Sequence, residues 1–290
     1  MADKKFVITT PQQSEIHFER TEMPLLLGTN IDKLVETNIR GLVARAGGTV
    51  DQLVGYKGCR IEDINIPDGG FGKVLQSGKT ATPGKSLSVL KRYLKQEFKF
   101  LVHGPRIPRD RKTIVLDMHD AHTMPGLHHK YDAAISSNLL EHSPNPIWLL
   151  LNFYFITRKT GYQFHAIPHY KYTYDRFREP TPLEHFIEDF ENKTGYGDKT
   201  HVEDYRQSAV IKDGWQKRFH ETYPLEYPFI HFHVFDEHNS KALLSYVFQD
   251  VTTDIYKTER FSDNVVICSN TLNPEFAEKY KIFLHDMGEK

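Results

Sequence analysis

The feature that most limits the possible folds of this chain is the alternation of short apolar segments with helical patterns. Apolar side chains follow helical spacing in residues 87–94 and again in residues 147–154. The candidate strands lie before, between and after these segments, at residues 71–75, 98–103, 113–118, 131–137 and 161–167. Such an alternation predicts an α/β fold with a mainly parallel sheet and helices on both of its faces.

The regions on either side of this alternation look different. Apolar residues from Ile31 to Val43 follow helical spacing, and the pair Gly47-Gly48 ends the pattern. We therefore interpret residues 1–60 as an N-terminal helical extension and residues 61–290 as the main domain, with an insertion at about 169–230. Residues 251–259 and 265–269 predict an antiparallel hairpin.

Charge and hydropathy exclude several classes of partner. The 290 residues include 37 basic and 38 acidic side chains, a net charge of -1, which argues against nucleic acid as a partner. No segment reaches the roughly 18 consecutive apolar residues of a membrane helix, and residues 1–10 lack a signal-peptide core. We expect a cytoplasmic protein without membrane insertion, and the sequence predicts no oligomeric state.

Two segments at predicted strand ends carry the most information. In parallel sheets, ligands bind beyond the carboxyl ends of the strands. Residues 119–125, with the sequence HDAHTMP, follow one candidate strand, and residues 131–142, with the sequence YDAAISSNLLEH, contain the next strand and its loop. Both resemble class I S-adenosylmethionine-dependent methyltransferases, the first their third motif and the second their fourth strand with the loop beside the cofactor's sulfonium.

The resemblance implies a Rossmann-like three-layer sandwich with a mainly parallel sheet of about seven strands, and S-adenosylmethionine as the cofactor. It also implies that Asp120 contacts the adenine beside Ala121. The turn of Gln76, Ser77 and Gly78 would line the methionine portion of the cofactor, together with Ser136, Ser137 and Asn138.

A further likeness concerns the methyl acceptor. Residues 168–176 resemble a segment of a subfamily associated with polysaccharide and glycolipid biosynthesis, so the expected acceptor is a small polar molecule, foremost a sugar or glycan precursor. Tyrosines stack on sugar rings and arginines bind phosphate or carboxylate groups. The expected acceptor-binding residues are Tyr170, Tyr172, Arg176 and Arg178.

Methyl transfer to a hydroxyl group benefits from a base that removes its proton. The candidate bases are His142, His169 and His185, with Asp175 behind them. We expect residues 169–201 to fold over the carboxyl end of the sheet, facing the loop of Ser137 and His142. A predicted helix at residues 183–190 would then pack on the rim of the cofactor cleft.

The sequence departs from the family pattern at its first motif. Taking residues 71–75 as the first strand, Gln76 stands where an acidic residue is usual and only Gly78 remains of the glycines. The second candidate strand ends in His103 and Gly104 instead of an acidic residue. These departures favour an alternative, a catalytically inactive methyltransferase-like scaffold that binds a ligand or a protein partner.

The histidines leave a third interpretation open. His231 and His233 would share one face of a strand, and with His238 nearby they could form the site of a metal-dependent enzyme. Their spacing matches no strong zinc signature, so no metal is predicted. Residues 78–80, Gly-Lys-Thr, miss the phosphate-loop spacing by one position and are interpreted as a polar turn.

Overall fold

The computed structural model describes residues 5–9, 15–19, 41–46, 59–65, 112–257 and 262–286. Two strands, β1 (Lys5–Thr9) and β2 (Glu15–Glu19), form a separate antiparallel pair. The remaining described strands are β3 (Gly41–Ala46), β4 (Cys59–Asn65), β5 (Lys112–Val115), β6 (Tyr131–Ser137), β7 (Thr157–Pro168), β8 (Thr252–Lys257) and β9 (Ser262–Ser269).

These seven strands form one sheet in the order β5-β4-β3-β6-β7-β9-β8. Strands β5, β4, β3, β6 and β7 run parallel to one another, whereas β9 is antiparallel to both β7 and β8. The mixed α/β class is therefore confirmed, and so is the antiparallel hairpin near the C-terminus. Along the chain the strand order reverses direction between β3 and β6, and such a switch point is where ligands bind in open α/β sheets.

Strand β3 corrects the prediction for the N-terminal region. The helix predicted from Ile31 to Val43 is wrong at its C-terminal end, because Gly41–Ala46 is a strand at the centre of the sheet. A central parallel strand is buried on both faces, so its sequence lacks an alternating pattern and can be mistaken for helix. The sheet thus includes residues on both sides of the predicted boundary at residue 60. The candidate strands 71–75 and 98–103 and the helix at 87–94 lie outside the described residues.

Helix α1 (Pro146–Ile156) is the central element of the helical layer. Asn145 caps it by accepting a hydrogen bond from the Trp148 N–H at 3.0 Å, and Pro146 occupies its first turn, where no N–H is needed. Every residue of α1 except Trp148 is buried. Helix α1 contacts β6 and β7 on one side and two other helices, α2 (Leu183–Glu191) and α5 (Glu237–Val247), on the other. The sequence also predicts helices on the opposite face of the sheet, and the candidate helix at residues 87–94 lies outside the described residues.

The predicted insertion at about residues 169–230 falls between β7 and α5. It contains α2, α3 (Lys199–Tyr205), a π-helical turn at Arg206–Val210, and α4 (Gly214–His220). Two short helices, α6 (Pro274–Lys279) and α7 (Lys281–Asp286), follow β9. None of the described helices has both the length and the apolarity that crossing a membrane requires.

Candidate active site beyond the sixth strand

The loop that follows β6 lies at the switch point of the sheet. Asn138 begins it with a φ of 49°, a left-handed conformation that asparagine tolerates better than most residues. Its N–H donates a hydrogen bond to the Ala166 carbonyl of β7 at 3.0 Å, so the loop leaves the sheet at a fixed angle. A short 3-10 helix, Leu140–His142, then brings Glu141 and His142 together.

A second segment, residues 230–233, runs beside this loop. The Phe232 N–H donates a hydrogen bond to the Glu141 carbonyl at 2.8 Å. The His142 ring lies with Nδ1 2.8 Å from the Ile230 carbonyl, which fixes the tautomer because a carbonyl can only accept. The loop after β6 and the segment 230–233 are far apart in the chain, and these two hydrogen bonds to the Glu141 and Ile230 carbonyls hold them together.

Four side chains at this junction form what we call the Glu141 cluster: Glu141, His142, Asp175 and His231. The rings of His142 and His231 meet edge to face with centroids 4.6 Å apart. Nδ1 of His231 donates to Oδ2 of Asp175 at 2.5 Å, which leaves Nε2 as the acceptor nitrogen of the neutral ring. A ligand atom from each of Glu141, His142 and His231 lies within 4.8 Å of the others.

Burial controls the protonation of this cluster. Loss of solvent raises the pKa of Glu141 well above its usual value, and the negative charge of Asp175 adds to the effect. Asn138 approaches the carboxyl group and Nε2 of His142 lies 3.8 Å from its Oε1, but neither oxygen has a hydrogen bond of good geometry among the described residues. Burial also lowers the pKa of His142 to about 3. Burial thus favours the uncharged form of both Glu141 and His142.

Asp175 behaves differently because it has cationic and polar partners. Burial opposes its ionisation, but His231 and Arg178 together lower its pKa below the usual value. Arg178 uses all five of its N–H groups, donating to Asp175, to Asp204 twice, and to the carbonyls of His231 and Phe232. The prediction that Arg178 grips the acceptor is therefore wrong, since no donor remains for a ligand.

A polar relay lies on the other side of the loop, after β5. Nδ1 of His119 lies 2.9 Å from Oδ1 of Asp117, and the Tyr196 hydroxyl donates to Oδ2 of Asp117 at 3.0 Å. Nε2 of His119 lies 2.7 Å from Oγ of Ser143. Burial opposes ionisation of Asp117, but the hydrogen bond from His119 lowers its pKa. The relay thus links the end of β5 to the loop after β6.

The third group, which we call the His185 cluster, consists of His185, Asp189, His201 and His233. Helix α2 supplies His185 and Asp189, helix α3 supplies His201, and the segment 230–233 supplies His233. One ligand atom from each lies within 4.8 Å of the other three. Burial lowers the pKa of His233 to about 4. Among the described residues, this cluster and the group of Glu141, His142 and His231 are the sets that could hold a metal ion.

The predicted cofactor-binding residues occupy different environments. Asp120 is exposed in the 3-10 helix after β5, whereas the adjacent Ala121 is fully buried. Ser136 lies opposite His165 of the neighbouring strand β7, and its Oγ is 2.8 Å from Nδ1 of that histidine. Its hydroxyl is therefore engaged within the sheet and not at the strand-end loops. Ser137 is buried beside Asn138 and donates to its side chain at 3.1 Å. Gln76, Ser77 and Gly78 lie outside the described residues.

The structure separates the three candidate bases, and of these His142 shares a cluster with Asp175. Nε2 of His169 lies 2.9 Å from Glu237, and its Nδ1 accepts the Lys171 N–H at 3.2 Å, so both ring nitrogens are engaged. His169 thus caps the 3-10 turn of residues 170–172 with one nitrogen and contacts Glu237 with the other. His185 belongs to the His185 cluster instead. The carboxylate of Asp175 orients His231, whose role sequence reasoning had considered only as a metal ligand.

The two tyrosines expected to bind the acceptor, Tyr170 and Tyr172, and the expected binding residue Arg176 are partly or largely exposed. Tyr170 stacks on His169 with centroids 5.2 Å apart, and Tyr172 is 37% exposed. Arg176 pairs with Asp213 at 2.5 Å. Helix α2 buries Phe186 and Phe190 in the main core against α1 and α5. The expectation that this helix packs on the rim of the cleft is therefore wrong, since its apolar face completes the helical layer.

Comparisons with known proteins complete the description of the site. No family model matches the chain, and no curated protein is significantly similar to it. Solved structures of low similarity include the CurJ carbon methyltransferase, at 13% identity and a TM-score of 0.40 over 80% of this chain and 49% of that one. They also include the PH0226 protein from Pyrococcus horikoshii OT3, at 13% identity and a TM-score of 0.39 over 79% of this chain and 82% of that one.

A third such structure is a Burkholderia thailandensis N1-methyltransferase with bound S-adenosylhomocysteine, at 11% identity and a TM-score of 0.41, covering 80% of this chain and 72% of that one. The chain spans about half the length of CurJ and of a citrinin polyketide synthase methyltransferase domain. Because these TM-scores are below 0.5, the description of the fold rests on strand order and pairing.

Proposed function

We propose that this protein transfers a methyl group from S-adenosylmethionine to a small polar acceptor, preferably a sugar or glycan precursor. One observation carries the proposal. Residues 131–142, whose sequence resembles the fourth strand and following loop of methyltransferases, form β6 and the loop at the switch point of the sheet. That is where an open α/β sheet binds a nucleotide-like ligand.

The strand ends around the switch point suit an adenosine-containing cofactor. Gly47 and Gly48 directly follow β3, and glycines there let a ligand approach the backbone closely. Strand β4 ends in Asp63, Ile64 and Asn65, which places an acidic residue near the end of the second strand. The exposed Asp120 would contact the adenine. When bound, the cofactor supplies a methyl group already activated for displacement.

His231 is the residue best arranged to take a proton from the acceptor. The buried Asp175 holds its Nδ1–H and leaves Nε2 as the basic nitrogen, an arrangement that orients a base and stabilises the imidazolium it forms. His142 packs against the same ring. Burial raises the pKa of Glu141, which favours its uncharged form and so limits repulsion of an acceptor oxyanion. The remaining task of the protein is to align the donor and the acceptor and to exclude water.

The alternative of an inactive scaffold depended on missing glycines and acids. That reading placed the first strand at residues 71–75. With β3 as the central strand, a glycine pair follows the strand, although Arg45 replaces the acidic residue usual near its end. The main reason for preferring the scaffold therefore disappears.

Calorimetry on the purified protein with S-adenosylmethionine and S-adenosylhomocysteine tests the proposal. We expect micromolar binding of both compounds. Gly48→Ala should weaken this binding about tenfold or more, because a Cβ so soon after β3 would hinder the close approach of the proposed ligand to the backbone. Gly195→Ala is the matched control, because an added Cβ there meets no atom within 4 Å, and it should leave the affinity unchanged. Absence of binding at millimolar cofactor would overturn the proposal in favour of the scaffold.

A further inference from the structure

The His185 cluster has a geometry that proton transfer does not require. His185 and Asp189 are four residues apart on helix α2, so their side chains lie on the same face. His201 and His233 approach from two other segments and are 5% and 0% exposed, while Asp189 is 5% exposed. Three imidazoles and a carboxylate thus converge on one point from three parts of the chain.

Four of the six distances between the converging atoms lie between 2.8 and 3.5 Å, close to the edges of a tetrahedron around a small cation. Nε2 of His185 and Nε2 of His201 are 3.0 Å apart, and Oδ2 of Asp189 lies 2.8 Å from Nε2 of His233. The same oxygen lies 3.4 Å from Nε2 of His201 and 3.5 Å from Nε2 of His185. Ligands about 2.0–2.1 Å from a zinc ion at tetrahedral angles are about 3.3 Å from one another.

The positions of the hydrogens strengthen this conclusion. Nδ1 of His233 lies 2.9 Å from the Ser143 carbonyl, and Nδ1 of His201 lies 2.8 Å from Oδ1 of Asp198, so both nitrogens carry hydrogen. A neutral ring then has a bare lone pair on Nε2. Both lone pairs would then face the Asp189 carboxylate at 2.8 Å and 3.4 Å, an arrangement that a shared cation would stabilise.

The outward contacts are also those of metal-binding histidines. Such residues donate their second ring N–H to a carboxylate or a backbone carbonyl, which fixes the ring and its tautomer. His201 uses the carboxylate of Asp198, and His233 uses the carbonyl of Ser143. Nδ1 of His185 lies 4.0 Å from Glu188. The two buried imidazoles are therefore oriented with Nε2 toward the centre by contacts independent of the cluster itself.

We propose that His185, Asp189, His201 and His233 bind one divalent transition-metal ion, with Zn²⁺ as the best match. Three imidazole nitrogens and one carboxylate oxygen fill the four positions of a tetrahedral site, and a site with four protein ligands is of the structural type. The ion would join helices α2 and α3 to the segment 230–233, which carries His231. Its role is to hold the acceptor side of the protein in place.

Elemental analysis of the purified full chain, before and after treatment with a chelator and reloading with Zn²⁺, is the direct test. We expect about one zinc per chain, its loss on chelation together with a lower melting temperature, and recovery of both on reloading. Replacing zinc by Co²⁺ should give the visible absorption bands of a four-coordinate ion. Asp189→Asn and His201→Gln should each reduce zinc affinity at least about tenfold.

His238→Ala is the matched control, since His238 is 87% exposed, follows the same segment, and lies outside the cluster. It should retain zinc at the level of the unmodified protein. The proposal is overturned if the chelated protein shows no thermal shift with Zn²⁺, Co²⁺, Mn²⁺ or Ni²⁺ and no stoichiometric uptake. It is also overturned if the two ligand variants, when folded, keep full zinc affinity. If these variants do not fold, the Co²⁺ spectrum of the unmodified protein decides.

Discussion

The Glu141 cluster and the His185 cluster use the same residue types for different chemistry. Both combine histidines with a buried acid, and both receive residues from the segment 230–233. In the Glu141 cluster, the His231 imidazole is oriented by the Asp175 carboxylate, and burial raises the pKa of the neighbouring Glu141. In the His185 cluster, four ligand atoms point inward to one centre. The comparison shows that the direction of the ring nitrogens, more than composition, separates a proton-transfer site from a cation site.

The largest expected effect comes from breaking the proton-transfer half of this comparison. His231→Gln removes the basic nitrogen while keeping a polar side chain of similar reach. We expect the methylation rate to fall about 10²–10⁴-fold, the usual contribution of general base catalysis. Cofactor affinity and zinc content should stay unchanged, because His231 belongs to neither set of contacts. A rate within a few-fold of the unmodified enzyme would assign the base elsewhere.

Removing the support behind Asp175 should cost stability. Arg178→Met leaves a buried carboxylate without its cation, and breaking such a pair typically destabilises a protein by about 3–5 kcal/mol. Arg176→Met is the matched control, because its side chain is 46% exposed and its pair with Asp213 should contribute at most about 1 kcal/mol. Denaturant unfolding of both variants measures the difference. Equal losses would mean that Asp175 does not depend on Arg178.

The smallest expected effect is a pH-dependent change in stability and concerns Glu141. Because the pKa of Glu141 is raised in the folded protein, its contribution to stability is complete below the unfolded value of 4.5 and declines as pH rises toward the folded value. Glu141→Gln keeps the shape and removes the titration. The variant should match the unmodified protein near pH 4.5 and gain up to about 1.4 kcal/mol per pH unit above it. Parallel stability curves would show that Glu141 is ionised when buried.

The sequence predicted some parts of this fold well for physical reasons. Strand β6 matches its predicted range of residues 131–137, and helix α1 includes the predicted residues 147–154, because both carry apolar runs bounded by polar or turn-forming residues. Strand β3 was missed because its apolar residues fit helical spacing as well as a buried strand. Because that strand was missed, the pair Gly47-Gly48 was not considered as the glycine-rich turn.

The clusters could not be predicted from spacing. Asp189, His201 and His233 meet only because two helices and an irregular segment converge, and one of the orienting contacts is a backbone carbonyl, that of Ser143. Arg178 was expected to bind a ligand because arginines often do. Its partner Asp204 is 26 residues away in the chain, and no local pattern indicates that the two meet. The sequence of residues 131–142 did predict strand β6 and the loop after it, and the other residues of the candidate site lie around that loop.

Ser143 gives this loop a further property. Its hydroxyl lies 2.7 Å from Nε2 of His119, while its carbonyl accepts the hydrogen bond from His233. A single residue is thus shared between the relay after β5 and the cation cluster. A ligand that moved His119 and Ser143 would also disturb the hydrogen bond from His233 to the Ser143 carbonyl. By thermodynamic linkage, a cation in the His185 cluster would then change the affinity for that ligand by the same factor by which the ligand changes the affinity for the cation. Such a coupling would act through one residue, Ser143, which contacts both places.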